Sequence, residues 1–319
     1  MPTLQDHRVS RTIVIFFGLL LSIFCETVLP ASQTNVVSPE RSIRLNVLVT
    51  DSKNHAVADA KQEEFHILED GVSQTITYFS KDDLPLNYCL VVDTSGSVKK
   101  LSSPMINAAQ AIVRSNRGAD ETSLIEFKDQ PELIAEFSSK EEILKSLESL
   151  RGAASRQSAI IDAVYLATKY VAEHKAMNPL SRRVLIVISD CNDNDSYYKL
   201  DDLRKLLRNQ IIQIFVLGYG VNEIGKTLEG GKQKLRRANE FISTITKETG
   251  GLAYFPQSEI ELREAAIQLS NALHTQYVIG YVPSRESKAG SYHKVTVSVD
   301  DAPGGDKRVA LTRAGYAAH

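Results

Sequence analysis

Residues 41–50 alternate, with Ile43, Leu45, Val47 and Val49 on one side and Arg44 and Asn46 on the other. That is the period of a strand with one buried face. Asp51-Ser-Lys-Asn54 then reads as a turn. Phe65-His-Ile-Leu-Glu69 and Val72–Phe79 flank Asp70-Gly71, a dipeptide whose tolerance of positive φ suits a tight hairpin. From residue 86 the pattern changes to short apolar runs at Tyr88–Val92, Ser123–Phe127, Val184–Ile188, Ile211–Leu217 and Leu252–Phe255. Helical spacing separates them, which predicts a parallel sheet covered on both faces, with Glu132–Phe137 as a short antiparallel edge. Ile160, Ala163, Val164, Ala167 and Val171 share one helical face, and so do Leu262, Ala265, Ala266, Leu269 and Leu273. Ser139 with Glu142, and Ser258 with Glu261, have capping-box spacing and place helix starts near 140 and 259. After residue 275 the strand period returns in Tyr277–Val282, Lys294–Val299 and Val309–Thr312, with Pro303-Gly-Gly305 as a turn.

The expected fold class is therefore α/β. A doubly wound, mostly parallel sheet with helices on both faces, residues 86–274, is inserted in a small β-sandwich built from both chain ends, 41–82 and 275–317. Two separate half-sandwiches would leave unpaired strand edges, which favours pairing the ends with each other.

At the N-terminus, Arg8 and Arg11 precede an apolar run from Thr12 to Phe24, short for a bilayer span. With the small residue closing Val28-Leu-Pro-Ala31, residues 1–31 read as a secretory signal peptide; the alternative is an uncleaved anchor. Cys25 follows the bulky Ile23-Phe24, unlike a lipoprotein signal. No later stretch approaches ~18 continuous apolar residues, so no stable membrane span is expected after signal cleavage. The expected location is exported: periplasmic, cell-envelope or extracellular.

Composition narrows the chemistry. With 37 Lys and Arg against 39 Asp and Glu, the net charge of -2 gives no electrostatic footprint for nucleic acid. Cys25, Cys89 and Cys191 are too few for a disulfide scaffold or a thiolate zinc cluster, and Cys89, inside a strand, is poorly placed to meet Cys191. The seven histidines offer no i, i+4 pair and read as scattered surface residues. The first strand of the α/β block is not followed by G-x-G-x-x-G, and Gly218-Tyr-Gly220 lacks the third glycine, so a nicotinamide enzyme is disfavoured. A haloacid-type phosphotransferase would need an aspartate where Ser95 stands, and no G-x-S-x-G elbow accompanies it.

What the first strand does carry at its end is Asp93-Thr-Ser95-Gly-Ser97, a carboxylate and two hydroxyls where a strand hands over to a helix. Such hard oxygen donors suit Mg²⁺ or Mn²⁺. Asp93-x-Ser95-x-Ser97 resembles the metal-ion-dependent adhesion site of von Willebrand factor type A domains. The resemblance implies a threonine-type ligand from a second loop, matched here by Ser158, and an aspartate after the fourth strand, matched by Asp190 in Val187-Ile-Ser-Asp190. The chain departs from the family in having serine at 158 and Cys191 where glycine usually follows the aspartate.

The likeness extends to an exported bacterial subgroup of such proteins through Val47-Leu-Val-Thr-Asp51, Glu69-Asp-Gly71, Thr249-Gly-Gly-Leu-Ala-Tyr-Phe255, Gln276-Tyr-Val-Ile-Gly-Tyr281 and Arg313-Ala-Gly-Tyr316. It implies a non-enzymatic, adhesion-type protein whose metal takes an acidic group of a protein partner. The alternative is a metal-independent envelope scaffold. Asp193 and Asp195 lack the glycine and terminal glutamate of a calcium loop and read as a solvated acidic rim.

Overall fold

The computed structural model describes residues 42–81, 84–152, 157–226 and 230–318. The signal-like segment 1–31, with Cys25, lies outside them. The chain begins with β1 (Ile43–Asp51), β2 (Phe65–Glu69), β3 (Val72–Gln74) and β4 (Ile76–Ser80). The α/β block follows as β5 (Leu86–Asp93), α1 (Ser102–Arg114), β6 (Glu121–Phe127), β7 (Pro131–Ser138), α2 (Lys140–Ser149), α3 (Ile160–Glu173), β8 (Arg182–Ser189), α4 (Leu200–Arg208), β9 (Gln213–Gly218), α5 (Val221–Ile224), α6 (Gly231–Thr249), β10 (Ala253–Tyr254) and α7 (Glu259–His274). It closes with β11 (Tyr277–Tyr281), β12 (Tyr292–Val299), β13 (Arg308–Leu311) and β14 (Gly315–Ala317).

The central sheet runs β10-β9-β8-β5-β6-β7, parallel except for β7 at the edge. Every residue of β5 is buried, as a central strand covered on both faces requires. Its alternate side chains feed two cores. Tyr88, Leu90 and Val92 pack with Met105, Ile112, Leu262 and Leu269 from α1 and α7. Cys89 and Val91 pack with Val164 and Ala167 of α3 and Phe241 of α6. Both apolar helical stripes read from the sequence are buried. Ser139 closes a full capping box with Glu142. Ser258 accepts from the Glu261 amide, but the Glu261 carboxylate turns to the Gln257 amide at 2.8 Å, leaving the box half made.

The remaining strands form two antiparallel sheets, β13-β1-β11-β4 and β14-β12-β2-β3. Strands from both ends of the chain share each sheet. Between the sheets lie Leu45, Val47, Val49, Phe65, Ile67, Tyr277, Ile279, Tyr281, Val295 and Val297, the alternating inward positions of a β-sandwich. Leu48, pointing the other way, joins the α/β core together with Ala56 and Leu311.

Three details differ from the expectation. The strand expected over Val72–Phe79 is broken at Thr75, because β3 pairs with β2 while β4 pairs with β11 in the opposite sheet. The run expected from Ile211 begins its strand at Gln213, and Ile211 is exposed. Strand β14 was not anticipated; three residues are too few to show a period.

Two glycine placements have a physical cause. At the β2–β3 turn, Asp70 and Gly71 have φ of 47° and 80°, both in the left-handed region a tight hairpin needs. In Thr249-Gly-Gly251, a Cβ on Gly250 would meet the Thr312 backbone at 2.2 Å, and one on Gly251 the Ile214 carbonyl oxygen at 1.9 Å. This is where α6 ends against both β9 and the C-terminal segment.

Candidate metal centre

Ligands of open α/β sheets bind outside the carboxyl ends of the strands, and the sequence-derived residues lie there. Asp93 closes β5. Its Oδ1 accepts from the Ser95 amide at 2.9 Å and the Ser95 hydroxyl at 2.6 Å, and its Oδ2 accepts from the Ser189 hydroxyl at 2.6 Å. Ser95 Oγ lies 3.0 Å from Ser97 Oγ. Ser97, which is exposed, hydrogen-bonds in turn to Asp190. Asp93, Ser95, Ser97 and Asp190 therefore form one connected set.

The electrostatics of that set are costly. Burial and the negative charge of Asp190 push the Asp93 carboxyl up to about 7, against the opposing hydrogen bonds from Ser189 and Ser95. Burial also raises Asp190, against hydrogen bonds from the Asn192 amide and Ser97. Two desolvated carboxylates whose charges repel resist simultaneous ionisation and would be relieved by a cation.

Ser158 reaches the same end of the sheet on a separate loop. Its amide donates to Asn194 Oδ1 at 2.8 Å, its carbonyl accepts from the amides of Asn194 and Asp195, and the next residue, Ala159, donates to the Lys128 carbonyl beyond β6. The side chain is fully buried, and its Oγ has no hydrogen-bond partner. A buried hydroxyl left unsatisfied costs about 1–3 kcal/mol. The donor set of three hydroxyls and two carboxylates fits a hard divalent cation, and the orphaned Ser158 oxygen is what such an ion would satisfy.

Some roles were not anticipated. Ser189 anchors Asp93 and also accepts from the Cys191 amide at 2.8 Å. Its only sequence signal was its place just before Asp190. Cys191 has φ of 59°, the left-handed conformation that explains why glycine is usual there. Cys191 and Cys89 are both free thiols, buried on the same face of the sheet. Asp193 is not part of a solvated rim. It accepts from Ser196 Oγ at 2.5 Å, and that oxygen accepts the Ile161 and Asp162 amides at the start of α3. Asp162 accepts the Tyr197 and Tyr198 amides in return. The acidic loop thus fixes the α3 N-terminus and, through Asn194, the backbone of Ser158.

The open, mostly parallel sheet with helices on both faces defines a Rossmann-like α/β domain. Residues 88–192 match the family described as von Willebrand factor type A domain, and the chain carries a domain of that family. Such domains are generally non-catalytic interaction modules that often bind a divalent metal and typically take protein partners. No curated protein matches the chain. Among solved structures it is similar to a von Willebrand factor type A protein from Catenulispora acidiphila, at 10% identity over 86% of this chain and 74% of that one, TM-score 0.45. It is similar to BatB from Bacteroides thetaiotaomicron at 16% over 59% and 98%, TM-score 0.42. For proximal thread matrix protein 1 from mussel byssus with a zinc-occupied MIDAS motif the values are 16%, 64% and 49%, TM-score 0.47. The chain spans about half the length of the byssus proteins it matches. No helix among the described residues is long and apolar enough to cross a membrane.

Proposed function

We propose that this is an exported, non-enzymatic binding protein of the bacterial von Willebrand factor A-related kind, in which Asp93, Ser95, Ser97, Ser158 and Asp190 hold Mg²⁺ or Mn²⁺. The buried Ser158 hydroxyl, which has no hydrogen-bond partner, carries this reading. When bound, the ion supplies a Lewis-acidic position that takes a carboxylate oxygen from a Glu or Asp of a protein partner. The protein's share is to supply neutral hydroxyl ligands from Ser95, Ser97 and Ser158, with one or both aspartates acting through water, so that little protein charge reaches the ion directly. Ser189 holds Asp93 in place, and the Asn192 amide does the same for Asp190. In the same reading 41–82 and 275–317 form one β unit around the domain 86–274, and residues 1–31 direct export.

Partner binding tests this. Mn²⁺-loaded protein is titrated with a glutamate-bearing peptide and its amide analogue while the water relaxation of Mn²⁺ is followed. Displacement of a bound water by the carboxylate alone, absent in Asp93→Ala, is the expected result. Indifference of a Mn²⁺-loaded site to carboxylate would overturn the adhesion mechanism. A second reading, a scaffold that binds without metal, is favoured by the complete internal hydrogen bonding of Asp93. It requires partner binding that survives both chelation and Asp93→Ala.

A further inference from the structure

The β-sandwich holds a second set of ligand-type side chains, remote in sequence from Asp93. Glu69 at the end of β2, Asp70 in the turn after it and His293 in β12 place one nitrogen and two oxygens within 4.8 Å of one another. The other atoms of these groups are already committed. Glu69 Oε2 accepts from the hydroxyls of Tyr281 at 2.6 Å and Tyr316 at 3.0 Å. Asp70 Oδ1 accepts from the Lys294 amide at 2.8 Å. His293 Nδ1 in turn hydrogen-bonds Asp70 Oδ2 at 2.8 Å and lies 4.0 Å from Glu69 Oε1.

The proton count at His293 is fixed by its other nitrogen. Nε2 lies 2.8 Å from Ser291 Oγ, and that oxygen is 2.6 Å from the Lys288 carbonyl. A carbonyl only accepts, so the single hydroxyl proton of Ser291 goes to Lys288, and Ser291 must accept from an Nε2–H. Nδ1 is then the ring nitrogen aimed at Asp70 Oδ2, 2.8 Å away, and is the atom a metal ion would take. Glu69, 5% exposed, has Oε2 taken by the two tyrosine hydroxyls and turns Oε1 toward the same nitrogen at 4.0 Å.

We propose that Glu69 Oε1, Asp70 Oδ2 and His293 Nδ1 form a Zn²⁺ site on the β-sandwich, distinct from the site at Asp93. One imidazole nitrogen with two carboxylate oxygens is a borderline donor set that suits Zn²⁺ better than Mg²⁺ or Ca²⁺. Tetrahedral bonds of about 2.0–2.1 Å put ligand atoms roughly 3.3–3.4 Å apart, so binding draws Glu69 Oε1 in from 4.0 Å and moves Asp70 Oδ2 out from 2.8 Å, each by roughly half an ångström. Ser291 on Nε2 and the two tyrosines on Glu69 orient the ligands, as outer-shell partners of zinc sites do. Asp70 is partly exposed, which leaves the fourth position open to water. The ion takes the place of the Nδ1 proton, which leaves to solvent, and ties the β2–β3 turn to β12.

The test uses the full chain carrying Asp93→Ala, so that loss at the first site and loss here are read separately. Zn²⁺ is titrated calorimetrically, and ring-nitrogen NMR of His293 is recorded with and without it. One equivalent of Zn²⁺ is expected, abolished by His293→Ala and weakened about 10–100-fold by Ser291→Ala. The Nδ1–H signal should vanish with Zn²⁺ while Nε2–H persists. A folded protein that takes up no Zn²⁺, or a His293 ring that stays doubly protonated in its presence, would show a histidine–carboxylate ion pair only and overturn the proposal.

Discussion

At the scale of single residues, the candidate site is a set of groups whose folded environment opposes their own stability. Ser158 illustrates this: its hydroxyl is buried with nothing to bond. Ser158→Ala is therefore expected to leave the metal-free protein as stable as before, or more stable by about 1–3 kcal/mol, while weakening Mg²⁺ affinity. Urea unfolding in chelator and in Mg²⁺ separates the two effects; equal destabilisation in both would mark Ser158 as merely structural. Asp93 gives a pH dependence. Its folded carboxyl is raised to about 7, so the native state holds a proton that the unfolded chain releases near pH 4. The stability it contributes is thus full below pH 4 and lost as pH rises through 7. Metal-free protein should lose stability between about pH 4 and 7, Asp93→Asn should show a shallower slope, and an unchanged slope would refute the cause assigned. Asp93, Ser95, Ser97 and Asp190 were legible because strand ends are visible as the limits of apolar runs and the donor spacing is local. Ser189, the Asn194 link to Ser158 and the meeting of His293 with Glu69 were not, because each joins residues that only the fold brings together.

At the scale of elements, apolar runs revealed the central strands because burial on both faces leaves no ambiguity of face. The helix starts followed from caps that act within four residues. Sequence patterning failed where one run serves two sheets, as at Thr75, and where a strand is as short as β14, because pairing rather than periodicity defines those elements. The Thr249-Gly-Gly251 junction is the tightest local constraint. Gly251→Ala would drive a Cβ into the Ile214 carbonyl, and a loss of about 3 kcal/mol or more is expected in a chemical denaturation series. A mild effect would mean that α6 and β9 can separate at little cost. Leu48→Ala removes the side chain by which β1 enters the α/β core; a cost of about 2–5 kcal/mol is expected there.

At the scale of the whole molecule, each sandwich sheet needs both chain ends. β1 lies between β11 and β13, and β12 between β2 and β14. That reciprocal pairing was legible from the return of the strand period after residue 275, whereas the continuity of Leu48, Ala56 and Leu311 with the α/β core was not, since it depends on which face of β1 meets which layer. The metal site proposed at the end of β5 is tested most directly by calorimetric titration of Mg²⁺ and Mn²⁺ into metal-stripped protein, beside a folded Asp93→Ala variant. One saturable equivalent, absent from the variant, is the outcome this account requires. A folded wild-type protein that binds neither ion would contradict it.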